Sequence, residues 1–275
     1  MNKRKYEILK NEIIEHSGIK LYRIRALKDF GYIKKGDKGG YIEKETNLSQ
    51  EGEAWVFGEA RVYENARVYE NARVSGNAWV FGNARVFGNA RVFGEAWVFG
   101  EARVSGEARV SGNAWVSENA RVSGKARVSE NAWVFGEARV YENARVSGKA
   151  HIKYGKLKID IFKNLQEYIV CSLNIYPIHN KYILYKRVNK LRDGEYRSNY
   201  ETSFIYKDNE ISEVKDFDPD KKVSCGEGIH ISMPDYWIEG DTLIAVEVNV
   251  DDIITCQEGK LRVKKVKTLG EIKND

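Results

Sequence analysis

From Ala54 the chain keeps one six-residue rhythm, A-[RW]-V-[FYS]-[GE]-[NEK], for sixteen uninterrupted copies ending at Lys149. Ala and Val stand two residues apart, as do the variable pair, Arg or Trp and then Phe, Tyr or Ser. Successive side chains of a strand point to opposite faces, so Ala and Val line one side and the variable pair the other. Gly or Glu, then Asn, Glu or Lys, breaks the alternation. Gly and Asn tolerate positive φ, so each unit reads as one short strand and one bend. Val, aromatic residues and recurring glycine contradict a helix. A Val and an Ala that recur without exception contradict a disordered tract.

The tryptophans set the number of sides. Trp79, Trp97, Trp115 and Trp133 are 18 residues apart, which is three units. A three-sided coil stacks them on one face at about 4.8 Å per rung. A four-sided coil needs a spacing of 24, which occurs only between Trp55 and Trp79. Sixteen units then make a little over five coils, roughly 25 Å of rod. No coil buries its apolar side alone, so both ends need caps.

Outside the repeat the pattern changes. Tyr6, Leu9, Ile13 and Ile14 share a face at helical spacing, which predicts a helix over residues 3–16. Lys20–Leu27 alternates as a strand, and together the two segments form a cap. After Gly155 the period is lost. The runs EYIVCSLNIY, KYILYKRV, DTLIAVEVNV and KLRVKKVKTL predict strands, and Cys225–Trp237 predicts a turn, a short strand and a helical turn. The expected organisation is a cap over residues 1–40, a parallel β-helix over 41–154 and a small, mostly β, α+β domain over 155–275.

The repeat, with Val at one position and Ala two before it, resembles the hexapeptide repeat of left-handed parallel β-helices. The left hand is what that resemblance implies. The lead-in DFGYIKKGDKGGYIEKETNLSQEGEAWV (Asp29–Val56) resembles the cap of phage and prophage hexapeptide proteins, in which a GGYIE…NLS segment leads into such repeats. YKRV (Tyr185–Val188), SCGEGIH (Ser224–His230) and VEVNVDDIITC followed by GKLRV are similar to a phage domain that also ends the rIIB-type protein of T-even phages. These resemblances imply a phage origin and no particular chemistry.

Charge and cysteine content narrow the classes. The net charge is only +5, distributed as +4 over residues 1–52, +2 over 53–150 and −1 over 151–275, so no segment is a basic tail. The start of the chain has no apolar h-region, and no run approaches a membrane span. Cys171, Cys225 and Cys256 form no CxxC pair, which argues against a disulfide framework or a zinc site. We expect a cytoplasmic protein, acting in the bacterial host, with no cofactor, no metal and no membrane contact.

Candidate chemistry is sparse. Cys225 and His230 form the sharpest pair, since a thiolate beside an imidazole is the minimum for nucleophilic catalysis, but no third orienting residue is identifiable. The GEGIHIS turn also resembles, faintly, that of ADP-ribosyltransferase folds, without the matching His, Tyr and Glu set. The acidic run Asp216–Lys222 lacks the Gly and terminal Glu of a calcium loop. Acyltransferases built on this repeat resemble one another in a catalytic His and an extruded loop, and this repeat has neither.

The outward residues sort into three faces. One carries Trp79, Phe81, Trp97, Phe99, Trp115, Ser117, Trp133 and Phe135. A second carries Arg67, Arg85, Arg103, Arg121 and Arg139, and a third Arg73, Arg91, Arg109, Arg127 and Arg145. Seven large aromatics on one face exceed what a monomer normally exposes, so a partner, a second copy or the C-terminal domain is expected to cover them. The arginine rows are expected to be offset by corner glutamates, or to meet phosphates or an acidic protein surface. The expected function is a non-enzymatic scaffold that binds a host protein or itself as a homo-oligomer, with inhibition of a host defence system first among specific roles. The alternatives are an enzyme in the C-terminal domain and a nucleic-acid binder using the arginine rows.

Overall fold

The computed structural model describes residues 4–273. They divide into two compact units: the chain through Gly148 together with Ile152–Ile161, and Lys149–His151 together with the chain from Phe162 onward.

In the first unit the repeat folds into a three-sided parallel β-solenoid. Each hexapeptide supplies one two-residue rung, Arg or Trp followed by Val, and ladder partners lie 18 residues apart. Trp97 lies between Trp79 and Trp115, Arg103 between Arg85 and Arg121, and Arg91 between Arg73 and Arg109. The Trp79 amide donates to Ala96 O at 2.9 Å and the Phe81 amide to Val98 O at 3.0 Å. Neighbouring coils thus satisfy one another's backbone groups. The Ala and Val positions of Ala78–Val146 are fully buried at 0 % exposure and form the core.

The bend sits at the first corner residue. Positive φ occurs at Gly82 (69°) and Gly100 (68°), and equally at Glu64 (55°) and Glu118 (55°). Asn, expected to share the bend, instead builds side-chain ladders: Asn65 donates to Asn83 at 3.2 Å and Asn71 to Asn89 at 3.4 Å. Glycine suits the corner for a second reason. A Cβ on Gly82 would lie 2.9 Å from the Gly100 amide of the next coil. At four of the corners where Glu replaces it, Glu64, Glu70, Glu118 and Glu130, the carboxylate accepts that next-coil amide. Glu64 accepts from Gly82 at 2.8 Å, Glu70 from Gly88 at 2.8 Å and Glu118 from Gly136 at 3.0 Å. The charge-assisted bond offsets the cost of a left-handed non-glycine residue.

The expected N-terminal helix is a strand. β1 (Tyr6–His16) and β2 (Ile19–Ala26) pair as an antiparallel hairpin. Ser17 and Gly18 both have positive φ (49° and 80°), the two-residue turn that matches strand twist. The helical spacing was produced by a bulge: the register jumps between Leu9 and Ile13, which displaces the later apolar residues from strict alternation. β3 (Lys38–Ile42) pairs antiparallel with β2 and parallel with the Arg61–Val62 rung, joining the hairpin to the first side of the solenoid.

The GGYIE…NLS segment closes the first coil mechanically. A Cβ on Gly39 would meet Ile24 Cγ1 and the Val56 carbonyl, both at 2.6 Å, and one on Gly40 the Ala60 carbonyl at 2.5 Å. Buried Asn47 donates to the Glu64 and Ala66 carbonyls at 3.1 and 2.9 Å and accepts the Lys44 amide at 2.9 Å. Lys5 Nζ, also buried, donates to the Ala54 carbonyl at 2.9 Å. Backbone groups that a further coil would have satisfied therefore find side chains. At the other end the solenoid outlasts its sequence repeat. Lys156–Leu157 pairs with Arg139–Val140 at a spacing of 17, and Asp160 bridges Arg145.

Among the described residues the second unit is a nine-stranded sheet with one α-helix and a 3-10 turn at Val250–Asp252. α1 (Leu165–Leu173) occupies part of the run expected to be a strand. Asn164 accepts the Glu167 amide at 3.0 Å and donates to its carboxylate at 3.2 Å. This N-terminal cap decides for helix over the β-branched residues that follow. The strands are β4 (Lys181–Arg192), β5 (Glu195–Arg197), β6 (Ile205–Lys207), β7 (Ile211–Glu213), β8 (Ile229–Ser232), β9 (Thr242–Asn249), β10 (Ile253–Gln257), β11 (Lys260–Val263) and β12 (Lys265–Glu271). Their order is β7-β12-β9-β4-β8-β11-β10, with β5 and β6 branching from β4. Among the described residues no helix is long and apolar enough to cross a membrane.

Candidate functional site

The 18-residue register places Trp79, Trp97, Trp115 and Trp133 in one column. Their rings stack with centroids 5.3, 5.2 and 4.9 Å apart. Phe81 and Phe99 stack beside them at 5.0 Å, and Phe99 meets Trp115 edge-on at 6.1 Å. The cap closes the upper end: His16 lies edge-on to Trp79 at 4.4 Å and the Arg61 guanidinium lies 4.6 Å from its ring. Trp79, Trp97 and Trp115 are thereby half-buried, Phe135 is half-buried beside Lys153, and Trp133 is 39 % exposed. Offset stacking along a ladder removes much of the apolar area that a partner would otherwise have to cover.

The arginine faces are different. Arg67, Arg85, Arg103, Arg121 and Arg139 follow one another in register on one side, and Arg91, Arg109, Arg127 and Arg145 on the next. All of these are exposed. The corner glutamates do not offset them as expected. Glu64, Glu70 and Glu118 are held on backbone amides, and among the described residues no carboxylate forms an ion pair with any of these arginines. Like charges repeat at rung spacing, about 4.8 Å, with no direct ion pair among the described residues to offset them. Near the cap the first row forms the floor of a shallow groove of about 600 Å3, lined by Arg67, Arg85, Arg103, Lys44, Asn83 and Glu101.

The second unit contains a cavity of about 590 Å3, with Cys225 and His230 both in its lining. They share no hydrogen bond. Cys225 Sγ lies 3.3 Å from Lys260 Nζ, and His230 Nε2 donates to the Ser224 carbonyl at 3.2 Å, which leaves Nδ1 the acceptor. Burial, together with the Lys186 and Lys260 charges, pushes His230 down to about 4, so its ring is neutral at pH 7. Burial works against the Lys260 ammonium, but Cys225, Tyr236 and Glu258 outweigh it and raise its pKa. Lys260 and Lys186 could not be singled out from the sequence: both are ordinary strand residues of β11 and β4, and only the pairing β4-β8-β11 brings them beside His230.

The acidic run resolves into a loop. Asp218 faces Arg262 at 3.3 Å and accepts the Asp220 amide at 2.8 Å, and Asp220 accepts the Lys222 amide at 2.9 Å. Among the described residues no cluster of three His, Cys, Asp or Glu side chains is placed to hold a metal ion.

Comparison with known families locates the likeness in the rod. Residues 60–76, 66–82, 84–100 and 102–118 match the model of the YdcK beta solenoid repeat. The match covers part of the solenoid, so the chain is similar to that repeat there. No curated protein matches the chain.

Proposed function

We propose that this chain is a non-enzymatic binding scaffold whose arginine faces engage an acidic protein surface. One observation carries the reading: two registered rows of exposed arginine with no ion-pair partner among the described residues. Self-repulsion of that kind costs stability unless a bound anion compensates it. The aromatic column supports the same assignment by contrast, because its rings already bury one another. Glu101 in the groove and a net charge of only +5 favour a folded acidic surface over a long nucleic acid. The phage resemblance of the cap and the C-terminal segment is the ground for taking a bacterial cytoplasmic protein, and first a host defence component, as the proposed target.

The test compares the native chain with an Arg85→Glu/Arg103→Glu/Arg121→Glu variant in affinity capture from nuclease-treated host lysate, followed by hydrogen exchange on the purified pair. Support is one acidic protein captured by the native chain, lost by the variant and released by salt, with protection confined to the arginine faces. Capture that survives charge reversal, or that disappears with nuclease, refutes the reading. If only the chain's own copies are recovered, and a Trp97→Lys/Trp115→Lys variant becomes monomeric, the aromatic face is an oligomer seam instead.

A further inference from the structure

Among the described residues, the second unit buries one lysine ammonium that no carboxylate pairs with. Lys186 lies in the middle of β4 and is 8 % exposed. Its Nζ donates to the His230 carbonyl at 3.1 Å, with the Tyr206 ring 5.8 Å away. Two other buried cations of the same unit have carboxylates: Lys260 has Glu258 at 3.3 Å and Arg262 has Asp218 at 3.3 Å. Among the described residues Lys186 has none within ion-pair distance. Burial alone pushes its ammonium down to about 8, with no carboxylate to raise it, so it is still mostly charged at pH 7. An unpaired buried ammonium is costly, and an aliphatic side chain would fill the space without that cost.

Lys186 also lines the cavity of about 590 Å3, a size in the range of small-molecule sites. Three rings, Tyr200, Phe204 and Trp237, give it flat apolar walls. Trp237 Nε1 and Arg187 Nε are buried donors without a protein acceptor, and both residues line the same cavity. Free donors, an unbalanced cation and aromatic walls are complementary to an acceptor-bearing anion with a planar body. The lining also carries Asp216, Glu201, Glu227 and Glu239. Their charges disfavour a ligand with more than one negative charge.

We propose that this cavity is a binding site for a small aromatic monoanion, a carboxylate or sulfonate held by Lys186 with its ring against Tyr200, Phe204 and Trp237. The site does not depend on how the rod is used.

The probes are 2-naphthoate, its neutral amide 2-naphthamide and the dianion 2-naphthyl phosphate, titrated calorimetrically into the full chain. Naphthoate is expected to saturate at millimolar concentration or below and to bind at least about tenfold more tightly than the amide, the worth of one charge-assisted hydrogen bond. Lys186→Met is expected to lose that preference and Lys186→Arg to keep it. Absence of saturation by naphthoate, equal binding of the amide, or tighter binding of the phosphate overturns the proposal. So does undiminished naphthoate binding to a folded Lys186→Met chain. Should Lys186→Met fail to fold, the three-probe comparison on the native chain decides by itself.

Discussion

Glu118 tests how the solenoid corners are held. Its backbone is left-handed, with φ 55°, and its carboxylate accepts the Gly136 amide of the next coil at 3.0 Å. A left-handed non-glycine residue costs about 1 kcal/mol relative to glycine. The charge-assisted bond is worth about 1 kcal/mol here, at the low end of its range because the group is exposed and water competes. Glu118→Ala keeps the strain and loses the bond, so it destabilises the local coil by about 1 kcal/mol. Glu118→Gly loses the bond but also the strain, so it comes out near zero. Hydrogen exchange of the segment from Trp115 to Phe135 reads the local opening energy directly. Equal destabilisation by Ala and Gly would show that the left-handed backbone carries no strain. No effect of Ala would show that the carboxylate–amide bond adds nothing.

Three further outcomes follow from buried polar groups. Lys186→Met should stabilise the second unit at pH 7. The native ammonium has its pKa lowered to about 8 against 10.5 unfolded, a penalty of about 3 kcal/mol, from which about 1 kcal/mol is lost with the bond to His230. Between those two pKa values the unfolded chain binds more protons, so native stability rises with pH and the variant's advantage shrinks. Exchange of β4 and β9 amides on either side of that window measures it. His230, lowered to about 4 from 6.5, likewise leaves the unfolded chain with more protons between those values. Acidification through that window should cost the second unit about 2 kcal/mol after allowance for partial exposure, and His230→Gln should flatten the loss in a pH series of urea midpoints. Asn47→Ala removes three hydrogen bonds at a fully buried position and should cost about 2–3 kcal/mol, seen as faster exchange over residues 60–68 and little change beyond the next coil.

A periodic sequence is legible because each of its levels repeats the same instruction. The Ala and Val alternation set which side is core, the 18-residue tryptophan spacing set three sides, and from these the composition of every face could be written down. Local signals competed elsewhere. The bulge between Leu9 and Ile13 made a strand imitate a helix, and the two-residue Ser17-Gly18 turn was the sign of a hairpin. The Asn164 and Glu167 cap was the sign of α1, beside a run whose β-branched residues suggested a strand. The corner was located correctly but not its chemistry, because Glu at positive φ depends on an amide 18 residues away.

The sequence by itself thus determined the rod: its period, its core and the residues on each face, since every contact there joins positions at one fixed separation. Only the tertiary structure decided what those faces do with their charge and where the second unit keeps its chemistry. The corner glutamates could have met arginines or backbone amides, and stacking of the corners chose the amides. Cys225 could have met His230 or Lys260, and the β8–β11 register chose Lys260. Lys186 lies 44 residues from His230 and its burial has no local signature. Such pairings are set by which strands pack side by side, and no short-range pattern encodes that choice.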